Sequence, residues 1–428
     1  MPDGPTADPS PRVDVPPRHP LPWALYLGCS WTWVIGMFLP ALLLRDYGWE
    51  GFWVFAIPNV IGAAAMGFVL RNADAATRLA TEHRQAVRWF SWWTIAFHAF
   101  ALPWLIEGVL VTGPGFGNGG GLLMAATLMA GMCAVVLQGR WRAVMVAAAL
   151  VAAVSWGIAA AFLPTLDPDA PQFKPRLTEL DLLFFAAPNL LGFLLCPYLD
   201  ATFLRARASM SVGGGRVAFA VGFGVVFASM IAFAALYGRT ILEGVYVEDI
   251  QFAAPLQLSL LALFIALQGS LTVALHLREL RRPIPDTLAP PIQRTTQPIV
   301  LTLVAVGLIA GLIAALTHRE AEYLLPVPEL IYRAFLTAYG VVIPAYVWLV
   351  IWPNLKPPAD PAVDRTRRIF AFAAASILAY PAGLIGFTTG PAWCMALCAA
   401  IVTFARLPIG IPRISPATAE VVSEPASN

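Results

Sequence analysis

Long apolar runs separated by short polar segments recur along the whole chain, and their lengths predict its architecture. A membrane-spanning helix needs about 20 mostly apolar residues. The chain is therefore predicted to be an all-α integral membrane protein with about 12 transmembrane helices. The runs lie at roughly 21–44, 50–70, 89–112, 121–138, 143–164, 181–203, 214–237, 254–277, 297–317, 328–352, 367–387 and 390–408.

Polar tails flank this transmembrane domain, which covers residues 21–408. Residues 1–20 are rich in Pro and lack an apolar stretch, and residues 409–428 are polar as well. Segments that can bury so little apolar surface remain disordered. Both tails are therefore predicted to be disordered and cytoplasmic.

The loops alternate in charge, which predicts the orientation of the chain. With a cytoplasmic N-terminus, 21 Lys and Arg residues fall in inner segments and only 5 in outer ones. Cytoplasmic loops of membrane proteins carry such an excess of positive charge. We therefore expect a multi-pass protein of the cell inner (plasma) membrane with both termini inside. The five outer basic residues are Arg45, Lys174, Arg176, Arg239 and Arg319.

Composition supports a membrane protein and argues against several other functions. The chain is 59% hydrophobic and 12% charged, with a mean hydropathy of +0.72, whereas soluble proteins are about 25% charged. A net charge of +2 gives no reason to expect nucleic acid as a partner. The five cysteines lie in apolar runs without CxxC spacing, which favours packing over metal binding. No loop is long enough for a catalytic domain, so we do not expect an enzyme.

Helix-breaking residues concentrate in the first and sixth predicted spans. The first contains "YLGCSWTWVIGMFLPALLL", with Gly, Ser, Thr and Pro, and the sixth contains "PNLLGFLLCP" followed by Asp200. Breakers in corresponding spans of two halves indicate a transporter binding site, because unwound backbone exposes carbonyls and helix ends. The sixth span is predicted to break at Pro188 and Asn189.

One of these motifs occurs twice. "FAIPNVIG" begins at Phe55 in the second span, and "FAAPNLLG" begins at Phe185 in the sixth. An inverted repeat would pair the first span with the sixth, and not the second. We therefore interpret the repetition as a coincidence of sequence, in which each Asn bonds a neighbouring backbone at a kink.

The stretches "SWTWVIGM" and "PYLDATFLRARAS" resemble the sodium:solute symporter family, and more broadly transporters with a LeuT-like 5+5 inverted repeat. Ser30 to Met37 are similar to the family's first core helix. Asp200, Arg205 and Ala208 resemble the end of its sixth core helix. The resemblance implies ten core spans plus two C-terminal helices, and a secondary transporter that works by alternating access.

The family binds sodium between helices 1 and 8. Transferred to this sequence, the resemblance implies that the backbone carbonyls of Tyr26 and Cys29 bind the cation. The hydroxyls expected on the eighth span fall near Leu263 and Phe264, which have none. The coupling ion is therefore left open between Na⁺ and H⁺. No other cofactor and no protein-bound metal is expected.

The resemblance and the polar residues of the spans together give a candidate solute site. An ionisable residue inside a span is a functional hypothesis by default, and Glu107 and Arg333 are of this kind, as a pair or singly. Asp200 is predicted to act at an inner gate, paired with Arg205 or Arg207. The predicted solute-binding residues are Ser30, Thr32, Trp33, Asn189, Glu107 and Arg333, with His98 and Tyr332 as further candidates.

The predicted function is therefore secondary active transport, with cation coupling, of a small polar organic solute. The lipid bilayer and the solute are the expected partners, and the oligomeric state is left open. Three alternatives stand beside it: a major-facilitator-type bundle, a membrane enzyme acting on lipid-linked substrates, and a non-transporting relative with a structural or regulatory role.

Overall fold

The structure is a computed structural model that describes most of the chain. The described residues are 16–110, 119–163, 175–246, 255–281, 302, 304–313, 327–352 and 361–407. Their regular secondary structure is entirely helical. The predicted disorder of residues 1–15 and 409–428 lies outside the described residues.

The first half of the chain contains one bent span, four straight spans and a short connecting helix within the described ranges. These elements are α1 (Pro20–Trp31), α2 (Val34–Tyr47), α3 (Trp49–Val69), α4 (Ala73–Glu82), α5 (Arg84–Leu110), α6 (Gly120–Gln138) and α7 (Trp141–Phe162).

The second half of the described chain contains the remaining spans, some with π-helical turns. The elements are α8 (Glu179–Leu195, continued by the 3₁₀ turn Cys196–Leu199), α9 (Ala201–Ala208), α10 (Val212–Val221 and Ala228–Tyr246, joined by the π turn Gly222–Phe227), α11 (Pro255–Leu280), α12 (Val304–Ile313), α13 (Val327–Ile351), α14 (Pro361–Thr388) and α15 (Trp393–Phe404).

Every predicted span contains a helix among the described residues. Eight helices are long and apolar enough to cross a membrane, and α1 with α2, bent by 57°, makes a ninth. The third span is the 27-residue helix α5, and α12 and α15 are shorter apolar helices. The prediction of an all-α, multi-pass membrane protein is confirmed.

Helix contacts follow the inverted repeat of five spans that the family resemblance implies. Such a repeat relates each of the first five spans to the span five positions later. The contact of the first span with the seventh, α2–α10, then corresponds to that of the sixth with the second, α8–α3, and both contacts exist. The same correspondence relates α1–α7 to α8–α13, and α6–α11 to α12–α5. The α5–α11 contact maps onto itself. This pattern does not fit the six-plus-six major-facilitator alternative.

Both copies of the Pro-Asn motif lie inside continuous helices, so the predicted break at Pro188 and Asn189 is wrong. Proline has no N–H and leaves the carbonyl four residues earlier without its helical donor. For Pro58 this is the carbonyl of Val54. Nδ2 of Asn189 donates to that oxygen at 2.7 Å. The Asn of the second motif thus replaces the hydrogen bond that the Pro of the first removes.

The two motifs also hold α3 and α8 close together. Phe55 and Phe193 pack edge to face with their ring centroids 5.0 Å apart. The backbone of Gly62 lies against the backbone of Phe193, with no room for a Cβ between them. Asn59 accepts a hydrogen bond from the indole N–H of Trp31 at 2.7 Å. Small residues permit such close approach in membranes, so the repeated motif serves helix packing at this interface.

This arrangement predicts a coupling between Asn189 and Pro58. Asn189→Ala leaves the Val54 carbonyl unsatisfied, and we expect a loss of about 1–3 kcal/mol in unfolding free energy. In a Pro58→Ala background the new N–H bonds Val54, so the cost of Asn189→Ala is expected to fall by about 1 kcal/mol. Thermal unfolding of the four proteins in detergent measures the cycle. Pro103→Ala is the control background, and an unchanged cost with Pro58→Ala would contradict the assignment.

Candidate functional site

The first helix break separates α1 from α2 at Thr32 and Trp33, and side chains cap the end of α1. Oγ1 of Thr32 donates to the carbonyl of Gly28 at 2.9 Å, and Oγ of Ser30 donates to that of Leu27 at 3.0 Å. The Trp33 indole N–H donates to the Ser30 carbonyl at 2.6 Å. A helix end leaves its last carbonyls without backbone donors. The side chains of Thr32 and Trp33 replace two of those donors, so specific hydrogen bonds stabilise the break in the first span.

The second break interrupts the sixth span at Asp200, between the 3₁₀ turn and α9. Asp200 is the N-cap of α9, where short polar side chains are preferred. Its Oδ1 accepts from the N–H of Thr202 at 2.7 Å and from that of Phe203 at 3.4 Å. The Thr202 hydroxyl donates to the same oxygen at 2.6 Å. Oδ1 of Asp200 therefore bonds α9, and Oδ2 does not.

The two breaks meet in the interior, and we call Ser30, Asp200, Thr202 and His276 the junction cluster. The hydroxyls of Ser30 and Thr202 lie 3.2 Å apart. Oδ2 of Asp200 lies 3.8 Å from Nε2 of His276, beyond hydrogen-bonding distance. All four residues are completely buried. Neither Oδ2 nor either His276 nitrogen has a hydrogen-bond partner among the described residues.

Trp33 occupies the space beside the junction cluster. Its side chain is buried and its indole packs against aromatic rings from four other helices or helix segments. In this conformation Trp33 fills the break, so a solute enters only if the indole moves. The neighbouring rings, with centroids 4.8–6.1 Å away, belong to Trp31, Phe90, His98, His276 and Tyr339.

Arg333 lies in a second buried group at the predicted outer end, the four-charge cluster of Arg45, Asp46, Glu329 and Arg333. Arg45 makes two hydrogen bonds to Glu329, at 2.7 and 3.1 Å. Arg333 donates to Glu329 at 2.7 and 2.8 Å and to Asp46 at 2.6 Å. Its remaining Nη1 donates to the carbonyl of Phe387 at 2.8 Å. Arg333 is thus bound to α2, α13 and α14 rather than exposed to a solute.

The predicted pairing of Asp200 with Arg205 or Arg207 is wrong, because both guanidinium groups point elsewhere. Arg205 forms a salt bridge with Glu279 of α11 at 3.1 Å. Arg207 is completely buried and donates to backbone carbonyls, which match its several N–H groups. Those carbonyls belong to Leu70, Arg71 and Met210.

The carbonyls proposed for a cation, those of Tyr26 and Cys29, lie in α1 before the break. The Cys29 carbonyl accepts the N–H of Thr32 at 3.2 Å. Tyr26 lies inside the helix, where α-helical geometry directs its carbonyl to the N–H of Ser30. Their cation-binding role stays a prediction.

The expected register of the eighth span stays a prediction. Gln268 of α11 lies beside the side chain of Cys29. Nε2 of Gln268 lies 4.0 Å from Sγ of Cys29 and donates to Oγ of Ser155 at 2.9 Å. A side-chain amide of α11 thus lies beside Cys29, whereas Leu263 and Phe264 have no hydroxyl to offer.

The remaining predicted solute residues lie away from the junction cluster. The amide of Asn189 is bonded to α3, and the hydroxyl of Tyr332 donates to the Val34 carbonyl at 3.0 Å. Glu107 is buried near the end of α5, about 14 Å along the helix from His98. Since Arg333 bonds Asp46 and Glu329, the proposed pair of Glu107 with Arg333 is wrong.

Sequence reasoning missed two members of the junction cluster. His276 is an ionisable residue within the apolar run of the eighth span, which is itself a signal of function. Thr202 follows Asp200 by two residues. An N-cap side chain accepts from the N–H two or three residues later, so predicting the N-cap at Asp200 would have placed Thr202 beside it. The rule for intramembrane ionisable residues could therefore have found His276 from the sequence.

A cavity of about 240 Å³ opens toward the predicted inner end, and we call it the inner vestibule. It lies between α4, α5, α9 and α11. The Arg205–Glu279 salt bridge is on its wall, and Ala201, the neighbour of Asp200, lines it as well. The vestibule therefore approaches the junction cluster from one side. Its remaining lining includes Thr77, Thr81, Arg84, Arg88, Ser91 and Leu204.

The fold and this site define a polytopic membrane protein with a five-plus-five inverted repeat and a buried polar junction between two discontinuous spans. No protein-family model and no curated protein sequence matches the chain. Among solved structures it is similar to Mhp1, a nucleobase-cation-symport-1 family transporter, in a closed conformation with bromovinylhydantoin bound. The identity is 12%, the match covers 96% of this chain and 98% of that chain, and the TM-score is 0.42. This level of similarity assigns neither a solute nor an ion to the chain.

Proposed function

We propose that the protein is a secondary active transporter that moves a small polar organic solute by alternating access, coupled to a cation. The observation that carries this proposal is the contact between the two breaks, at the Ser30 and Thr202 hydroxyls. Discontinuous spans that meet near the middle of the bilayer form the binding sites of inverted-repeat transporters. A protein that only packed its helices would gain nothing from burying a carboxylate oxygen without a hydrogen-bond donor there, as Oδ2 of Asp200 is among the described residues.

The two ends of the bundle differ in a way that suits alternating access. The four-charge cluster ties α2 to α13 and α14 and closes the predicted outer end. The inner vestibule opens the other end as far as Ala201. This conformation corresponds to an outward-closed state, and solute binding requires Trp33 to leave the break.

The proposal also covers the membrane location, the family and the solute-binding residues. The distribution of Lys and Arg supports a bacterial inner-membrane location with cytoplasmic termini. Membership of the sodium:solute symporter family rests on the two sequence stretches alone. Ser30, Thr32 and Trp33 remain the proposed solute-binding residues, because they lie at the break itself.

A second candidate is a non-transporting relative with a structural or regulatory role. The observation that favours it is the filled break, where Trp33 is buried and both hydroxyls of α1 bond their own helix. Such a protein would have no empty site for a solute to enter.

Thermal unfolding in nanodiscs, followed by transport in liposomes, separates the two candidates. A ligand that binds only the folded state stabilises it by about 2.7 kcal/mol at a hundredfold excess over Kd. We expect at least one small polar solute to raise Tm, and the same solute to exchange across proteoliposomes. Ser30→Ala should weaken both effects, whereas the remote Asp74→Asn should leave them unchanged. A folded protein that no solute stabilises and that exchanges none would support the non-transporting candidate.

The coupling ion is tested by comparing sodium with choline and potassium at equal ionic strength. Because Leu263 and Phe264, the positions at which sodium-binding hydroxyls were expected, have none, we expect no sodium-specific rise in Tm. A sodium-specific rise would instead support a cation site at the Tyr26 and Cys29 carbonyls.

A further inference from the structure

The junction cluster contains a carboxylate oxygen and an imidazole that face each other without a hydrogen bond. Oδ2 of Asp200 and Nε2 of His276 are 3.8 Å apart, and both residues are completely buried. Buried charges are normally paired or hydrogen-bonded, because moving a charge from water into the protein interior without a partner costs several kcal/mol. A single additional proton, on the carboxylate or on the imidazole, would neutralise the buried carboxylate or pair it with a cation.

We propose that Asp200 and His276 form a proton-binding site, and that this proton is the coupling ion of the transport proposed above. The coupling part of this inference rests on the proposed function, whereas the proton site itself does not. The proton binds at Oδ2 of Asp200 or at Nε2 of His276. Its binding adds one positive charge to the buried junction.

The groups around Asp200 favour a proton over a metal cation. Hard cations are bound by several oxygen ligands. The group opposite Oδ2 is an imidazole nitrogen, and Oδ1 already accepts three hydrogen bonds from α9. The Thr202 hydroxyl, which donates to Oδ1, and the Ser30 hydroxyl beside it are hydrogen-bonded themselves.

Other titratable groups near Asp200 come from each helix packed around it. α11 contributes Glu279 beside His276, α13 contributes Tyr339, and α5 contributes His98. The arginines of α9 are bonded to Glu279 and to backbone carbonyls. Neither α1 nor the packing face of α4 contributes a charged side chain. None of these groups is a cation paired with Oδ2. The net charge of the Asp200 and His276 pair is therefore set by whether the pair binds a proton.

Polar residues occur along α5 and α11 from the inner vestibule toward this site. Thr272, His276 and Glu279 recur at helical spacing on one side of α11, and Glu279 lines the vestibule. On α5, Ser91 lines the same vestibule, and His98 lies two turns further in. The Nε2 of His98 and the Thr272 hydroxyl are buried and have no hydrogen-bond partner among the described residues. Polar groups thus occur at the vestibule, at Glu279 and Ser91, and deeper on the same two helices, at His276 and His98.

The site also has a direct mechanical link to both breaks. Oδ1 of Asp200 caps α9, and its donor Thr202 contacts Ser30 at the end of α1. The His276 ring packs edge to face on Trp33, with centroids 5.7 Å apart. Adding or removing the proton therefore changes the contacts of the indole that fills the break. This connection supplies the coupling between proton and solute.

Infrared difference spectroscopy of the full-length protein in nanodiscs, without solute, tests the proton site. We expect a carbonyl band of a protonated, buried carboxylic acid that titrates with pH and is absent from Asp200→Asn, a variant that keeps the cap. His276→Gln should move the titration by about one pH unit. Asp74→Asn, which removes an exposed carboxyl from the first turn of α4, should keep the band. Persistence of the band in Asp200→Asn would overturn the proposal.

Two further arms separate the proton site from the transport function. Repeating the titration in sodium and in choline should give the same midpoint, and a sodium-dependent midpoint would overturn proton binding in favour of a metal cation. If the band behaves as expected and liposomes exchange solute without any effect of a pH gradient, the coupling role is wrong. If no solute is exchanged at all, the proposed function fails while the proton site stands.

Discussion

Glu329→Ala is expected to destabilise the protein by about 3–5 kcal/mol, the cost of removing one partner from a buried ion pair. Glu329 is completely buried and accepts hydrogen bonds from both Arg45 and Arg333. Its removal leaves Asp46 as the one carboxylate of the four-charge cluster, beside two guanidinium groups. Thermal unfolding in nanodiscs measures the loss, which should lower Tm by many degrees.

A charge-balanced variant shows whether the unpaired charge causes this loss. Combining Glu329→Ala with Arg333→Met leaves Arg45 with Asp46, which are bonded at 2.9 Å. We expect the double variant to be more stable than Glu329→Ala alone, because it also removes the buried charge that Glu329→Ala leaves uncompensated. The exposed Glu50→Ala is the control and should change stability by less than about 0.5 kcal/mol. A Glu329→Ala protein as stable as that control would contradict the buried network.

Gly62→Ala is expected to have the second largest effect, because a Cβ at this position would overlap the carbonyl oxygen of Phe193. The obstacle is backbone, so α3 and α8 must move apart to accept it. Overpacking of this kind costs about 1–3 kcal/mol, and Gly62→Val should cost more. The measurement is the Tm and the folded yield in detergent.

Gly157→Ala provides a matched control on another spanning helix. A Cβ at Gly157 meets nothing within 4 Å, and Ala favours a helix over Gly by up to about 1 kcal/mol. We therefore expect Gly157→Ala to leave Tm unchanged or raise it. If Gly62→Ala behaved in the same way, the close approach of α3 and α8 would be wrong.

Asp200 shows how far the sequence could predict the site. Its position at the end of the sixth span identified it as important, but the arginines five and seven residues later suggested the wrong partners. In the fold, α9 turns those arginines toward Glu279 and toward the loop after α3. The partner that Asp200 faces, His276, is 76 residues away in the sequence. No local pattern relates the two.

Arg333 and Asn189 show the same limit. Both were predicted to bind solute because they are polar residues inside apolar runs. Arg333 bonds Asp46 across a sequence separation of 287, and Asn189 bonds the Val54 carbonyl across a separation of 135. A buried polar group must be satisfied by some partner, but its type does not reveal whether that partner is protein or solute.

By itself, the sequence determined the spans, the all-helical membrane class and the break in the first span. These features depend on the length of apolar runs and on Gly, Ser, Thr and Pro within about 20 residues, so they can be read locally. Only the tertiary structure decided where the sixth span breaks, which charges pair and that the two breaks meet at Ser30 and Thr202. Those outcomes depend on which helices pack together, and hydrogen bonds between helices far apart in sequence satisfy the groups that local structure leaves unpaired.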